Sequence, residues 1–178
     1  MALCELTHDS NIIDVAFSKT SAKIAILSAA SFTIYTWNLK STSPLEATLY
    51  SSHAISPSRR PRLIAFLGED DIYVVTQDEF GGEVVEWTGL HSNASKPVFL
   101  PEEGVHISSI FPDSEQEKLW IAHISPSKRV RSHSFVRNNG AEDSSVITWQ
   151  DGPATDTSWA RAIQVPSGDV SKLYHPEC

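Results

Sequence analysis

The feature that most constrains this chain is that it repeats itself. Three strand-like segments, KIAIL, DIYVV and KLWIA, begin at residues 23, 71 and 118, steps of 48 and 47 residues. A fixed period of this length means that each period builds one supersecondary unit, which buries its apolar face only by stacking on its neighbours. Each segment follows one ending in phenylalanine: DVAF at 14, LIAF at 63 and SSIF at 108, with Phe17, Phe66 and Phe111 in register. Each is followed by a third, FTIYTW ending at Trp37, EVVEW ending at Trp87 and VRSHSF ending at Phe135, and then by a fourth, EATLY at 46, KPVFL at 96 and SVITW at 145.

These segments read as β-strands. They are five to seven residues long and rich in Val, Ile, Phe, Tyr and Trp, and turn-forming stretches such as GEDD, FGG, PEEG, PDSEQ and NNGAED separate them. Side chains alternate as a pleated ribbon requires: Ile13, Val15 and Phe17 share one face, and Val84 opposes Val85 and Trp87. No apolar stripe of helical period survives the interruptions. Four short strands per repeat of ~45 to 50 residues are the pattern of a β-propeller blade; a β-sandwich also has short strands and regular turns, but not four segment types kept in order over three repeats. The expected fold is therefore all-β, a partial WD40-like propeller. Its blades fall at about 12–51, 61–100 and 105–150, and 159–178 start a fourth, where AIQV and KLY echo a first and second strand. The apolar positions Val15, Phe17, Ile24, Ile26, Ile64, Phe66, Val74, Ile110, Leu119 and Ile121 are the expected core. A ring needs at least ~4 blades, so apolar strands such as IIDVAF and AIQV are expected to be partly uncovered.

Charge and cysteine content narrow the function. With 14 Lys and Arg against 22 Asp and Glu, net charge −8, the chain lacks the clustered positive excess of a phosphate-binding surface. Cys4 and Cys178 form no C-x-x-C pair, so two free thiols are expected rather than a disulfide framework or zinc site. No apolar run approaches the ~18 residues of a membrane span, and MALCELTHDSN has neither the basic nor the apolar region of a signal peptide. An intracellular protein is expected.

Two stretches carry a more specific likeness. IIDVAFSKTSAKIAILSAASFTIYTWNLK (residues 12–40) and LIAFLGEDDIYVVTQDEFGGEVVEW (residues 63–87) resemble consecutive blades of the second WD40-like propeller of the IKAP family, the largest scaffold subunit of the Elongator complex. The resemblance covers most of residues 1–125 and loosens beyond. It implies a non-catalytic scaffold that supports wobble-uridine modification of transfer RNA through subunit assembly, the radical and acetyl-transfer chemistry residing in another subunit. It further implies other Elongator subunits as partners, an indirect association with transfer RNA, no cofactor, no membrane, and residence in the cytoplasm and also the nucleus. The parent is implied to be dimeric through segments not present in these residues.

Other motifs offer little chemistry. His8, Asp9 and Ser10 are adjacent, whereas a catalytic triad converges from separate elements. His53, His91, His106, His123, His133 and His175 lie at no ligand spacing, with His106 and His123 expected as packing or turn residues. Glu69, Asp70 and Asp71, and Glu102 and Glu103, read as solvated turn charges. Two basic spots, SRRPR (Arg59, Arg60, Arg62) and SKRVR (Lys128, Arg129, Arg131), each follow Ser-Pro and are the candidate interaction loops. No Gly-rich phosphate loop, G-x-S-x-G or H-E-x-x-H occurs. Two alternatives remain: a propeller hydrolase or lyase, which would need polar residues recurring at one blade position, and an RNA-binding propeller using the Arg-rich loops.

Overall fold

A computed structural model of the protein describes residues 10–37, 47–91, 94–101, 103–113, 117–124, 130–136 and 142–148, with side chains described as far as residue 124. Its twelve strands are β1 (Ile12–Phe17), β2 (Lys23–Ser28), β3 (Ser31–Thr36), β4 (Thr48–Ala54), β5 (Arg59–Leu67), β6 (Asp71–Asp78), β7 (Glu83–Gly89), β8 (Ala94–Phe99), β9 (His106–Asp113), β10 (Lys118–Ile124), β11 (Val130–Val136) and β12 (Glu142–Thr148). Among the described residues there is no helix.

Each run of four strands forms one antiparallel sheet in chain order, β1 to β4, β5 to β8 and β9 to β12. The sheets pack through their first strands, β1 on β5 and β5 on β9, with β2 also on β5. Consecutive meander sheets stacked face to face with their first strands together are blades around an axis, and the chain is a partial β-propeller. Residues 159–178, read from sequence as the start of a fourth blade, lie outside the described residues.

Pleat alternation divides the core in two. Between the first and second sheets, Ala16, Ala25, Leu27, Phe32 and Ile34 meet Ile64, Phe66, Ile72 and Val74. Between the second and third, Ala65, Leu67, Tyr73, Val75, Val85 and Trp87 meet Ile107, Leu119 and Ile121. The second sheet is thus apolar on both faces, as a strand run with two covering layers must be.

Two expected core positions are not buried. Val15 is 37% and Phe17 54% exposed, whereas Ile64 and Phe66, which occupy the same places in the second sheet, are 5% and 2% exposed. The cause is the stacking order. Ile64 and Phe66 face the preceding sheet, and the first sheet has no preceding sheet among the described residues. Ile26, Val74, Leu119 and Ile121 are buried as expected, and Ile24 and Ile110 are half-buried.

The strand pairing also corrects the phase of the repeat. Phe17 pairs with Ile24 and Phe66 with Ile72, but Phe111 pairs with Trp120, and Pro112 takes the position opposite Leu119. A one-residue slip moves a side chain to the other face, so Phe111 is not the counterpart of Phe66. The tryptophans are displaced as well. Trp87 pairs with Tyr73, whereas the residue opposite Ala25, the counterpart of Tyr73, is Ile34; Trp37 lies past the end of β3, with its amide on Ala22 O at 3.1 Å. Trp87 Nε1–H donates to the buried Asp71 carboxylate at 2.7 Å, while Trp37 Nε1 has no acceptor among the described residues.

Candidate functional site

Each first strand carries one unpaired residue at the same level: Ile13 between Ile12 and Asp14, Arg62 between Pro61 and Leu63, and Ser108 between Ile107 and Ser109. Such bulges bend a strand and re-aim a side chain. At Arg62 the bulge turns a guanidinium toward the third sheet. There it donates to the buried carboxylate of Glu83 on β7 and to Ile107 O at 3.3 Å, and it lies 3.2 Å from His106 Nε2. The other Glu83 oxygen accepts from the amide of Ile107. One carboxylate on β7 therefore ties a cation on β5 to the backbone of β9.

His106 Nδ1 is 3.3 Å from Glu83 Oε1, but Arg62 already neutralises that carboxylate. Burial first, then the Arg62 charge, hold the imidazole below the ordinary histidine range. Burial likewise lowers the Arg62 guanidinium. The cluster is a structural clasp with its charges internally matched.

The candidate interaction loop at Arg59, Arg60 and Arg62 is corrected accordingly: these residues open strand β5 instead of forming a loop. Pro61 is tolerated there because β5 pairs on one side only, with β6, and a prolyl nitrogen without a proton is acceptable at a sheet edge. Arg59 Nη1 donates to Thr76 Oγ1 at 3.4 Å, and Arg60 is exposed. Lys128 and Arg129 lie outside the described residues, and Arg131 falls in β11, paired with His123 and Thr148.

The acidic turn is corrected too. Glu69 Oε1 accepts from Thr20 N at 2.6 Å, and Lys23 Nζ donates to Asp70 Oδ1 at 2.6 Å and to Glu69 O at 3.1 Å. Asp14 Oδ2 accepts from Ile64 N at 2.9 Å. These contacts clasp the first sheet to the second, and Asp71 is a buried strand residue.

Farther from the packed first strands a cleft of about 310 Å³ opens between the same two sheets. Phe32 and Val74 form its base, His53 on β4 one wall, and Glu86, Thr88 and Ser95 on β7 and β8 the other. The His53 ring stacks on Phe32, 4.7 Å between centroids at 8°, and burial lowers its pKa. Sequence reasoning missed this cleft because its walls come from residues about 40 apart with no motif in either. Among the described residues no group of three or more His, Cys, Asp or Glu could hold a metal ion, and no helix is long and apolar enough to cross a membrane.

No protein-family model matches the sequence, and no curated protein matches it. Solved structures similar in shape include the two that follow. Kluyveromyces lactis Hsv2 is 16% identical with a TM-score of 0.48, over 78% of this chain and 36% of Hsv2. A candidate 6-phosphogluconolactonase from Bacteroides uniformis is 13% identical with a TM-score of 0.49, over 74% of this chain and 39% of that one. The chain spans well under half of either protein. Neither likeness bears on function, and the propeller architecture follows from sheet order and packing.

Proposed function

We propose that the chain is a non-catalytic protein-interaction module, part of a propeller scaffold, and that this scaffold is the Elongator subunit whose blades the sequence resembles. The observation that carries the interaction reading is the outer face of β1, where Ile12, Val15 and Phe17, paired with Ser28, Ile26 and Ile24, stand exposed. Their counterparts Ile64 and Phe66 are covered by a neighbouring sheet, so this face is built to be covered. Fully burying a side chain of this kind stabilises by about 1.5–3 kcal/mol.

The assignment to Elongator is supported by residues 12–40 and 63–87, quoted above. In such a scaffold the module contributes to wobble-uridine modification through assembly, with other Elongator subunits as its partners and transfer RNA held indirectly. The net charge of −8 agrees with an indirect role. Direct RNA binding is disfavoured by the pairing of Arg62 with Glu83, which removes one of the three arginines from any phosphate contact.

Affinity purification of the tagged 178-residue chain from cells, with and without Phe17→Asp, tests both levels. Recovery of Elongator subunits that is lost in the variant is the expected result. Recovery of other proteins through the same face would retain the interaction module and reject Elongator; recovery of nothing sensitive to Phe17 would reject both.

A further inference from the structure

The cleft between the first and second sheets differs from the inter-sheet clasps in one respect: its charge has no counter-charge. Glu86 is half-buried on β7, facing the first sheet between Val74 and Pro97 of the neighbouring strands. Among the described residues it makes no ion pair, in contrast to Asp70 and Glu83. His53 across the cleft hydrogen-bonds Ser51 Oγ at 3.1 Å, and Thr88 donates to Ser95 at 3.2 Å. With the imidazole kept neutral by burial, Glu86 is the one charged group lining the cleft among the described residues. A partly desolvated carboxylate over the apolar base of Phe32 and Val74 attracts a cation more strongly than one in open water does.

The lip of the cleft is the last part of β4, which is the outer edge of the first sheet. Edge strands invite pairing with another chain, and proteins guard them with lysine, proline or bulges. The corresponding edge of the second sheet, β8, carries Lys96 and Pro97. β4, TLYSSHA, carries neither, and exposes Leu49 and Tyr50. Both edges have one bulged residue, Tyr50 and Val98, so the lysine and proline make the difference. An unguarded edge beside a cleft is the arrangement that accepts an extended peptide: main-chain bonds along the edge, every second side chain directed into the sheet interface.

We infer that β4 and the cleft together form a docking site for an extended peptide, which pairs with the free edge of β4 and places an arginine or lysine side chain against Glu86. The excess of acidic residues on the chain favours encounter with a basic segment, and about 310 Å³ accommodates one long side chain. The site extends the interaction reading but uses neither Phe17 nor the open face of β1.

Fluorescence anisotropy with the 178-residue chain tests it. The probes are capped seven-residue peptides of alternating valine and threonine with arginine, norleucine or glutamate at the centre, and an arginine peptide N-methylated along one edge. The arginine peptide is expected to bind at least tenfold more tightly than the other three. Glu86→Gln should remove that preference, while Glu79→Gln, at the exposed β6–β7 turn, should not. Equal affinity for arginine and norleucine peptides, or no binding by any peptide, would overturn the inference. If Glu86→Gln fails to fold, the norleucine peptide asks the same question of the unaltered chain. Phe17→Asp should leave peptide binding unchanged, so failure here is distinguishable from failure of the open-face reading.

Discussion

Replacing Glu83 with alanine removes a carboxylate whose side chain has no exposure and which joins two sheets through Arg62 and the Ile107 amide. The Ile107 amide is then left buried without its acceptor, a loss of about 1–3 kcal/mol. Arg62 loses its counter-charge, but its side chain is 25% exposed and it keeps Ile107 O, so its contribution sits near the lower end of the ~3–5 kcal/mol seen when one member of a buried pair is deleted. The two overlap, and the expected total is about 3–4 kcal/mol. Glu83→Gln retains an acceptor for Ile107 and should cost about half as much. Arg62→Ala with Glu83→Ala should cost less than the sum of the single changes by about 1–2 kcal/mol, because the second deletion removes a charge the first had stranded. Urea unfolding followed by tryptophan fluorescence measures all four. A cost below about 1 kcal/mol for Glu83→Ala, or strict additivity, would show that the clasp does not hold the second and third sheets together.

Further outcomes follow from packing and titration. Phe66→Ala, at a fully enclosed site between the first and second sheets, should cost about 3–5 kcal/mol; a loss under about 1 kcal/mol in the same urea assay would place Phe66 outside a core. His106 and His53 both have lowered folded pKa values, from an ordinary 6.5, so the folded state binds fewer protons than the unfolded one. Their stabilisation is present above pH 6.5 and is lost as pH falls through the lower folded values. Thermal melts from pH 7.5 to 5.5 should decline accordingly, and the paired changes His53→Asn and His106→Asn should flatten that decline; an unchanged slope refutes the assignment. Sedimentation should show concentration-dependent self-association of the unaltered chain, reduced by Phe17→Asp; a monomer insensitive to that change would mean the β1 face is not adhesive.

The architecture was legible because a propeller blade writes its period into the chain. Alternation in IIDVAF, KIAIL and DIYVV is dictated by the pleat, and the recurrence of strand and turn text is dictated by stacking, so both survive without any structure. Phase is a weaker signal. Phe17 and Phe66 stand opposite Ile24 and Ile72, but the place opposite Leu119 belongs to Pro112, so Phe111 sits one residue early and off the face that Phe66 occupies. A matching phenylalanine in the text does not reveal this, because the face a strand residue takes is set by its cross-strand partner, which only the pairing shows. The echo of Trp37 and Trp87 failed for a different reason: Asp71 gives Trp87 an indole acceptor, and the corresponding residue of the first sheet is Lys23.

The basic and acidic spots illustrate why function was harder to read than fold. In sequence, RRPR after Ser-Pro and GEDD before a strand look like solvated loops, since charge usually means surface. Register decides otherwise. The bulge at Arg62 and the pairing of β7 bring it against Glu83, which stands inside EFGGEVVEW with no local mark of burial. The turn at Gly68, held in the left-handed region at φ 73°, places Glu69 and Asp70 over Thr20 and Lys23 of the preceding sheet. Charges that clasp neighbouring sheets are spent on the fold and are poor candidates for binding. By that criterion the groups left for recognition are those the clasps do not use: the uncovered apolar face of β1, where a partner would extend the sheet stacking, and Glu86, unpaired among the described residues, beside the β4 edge where a peptide would extend the first sheet by pairing.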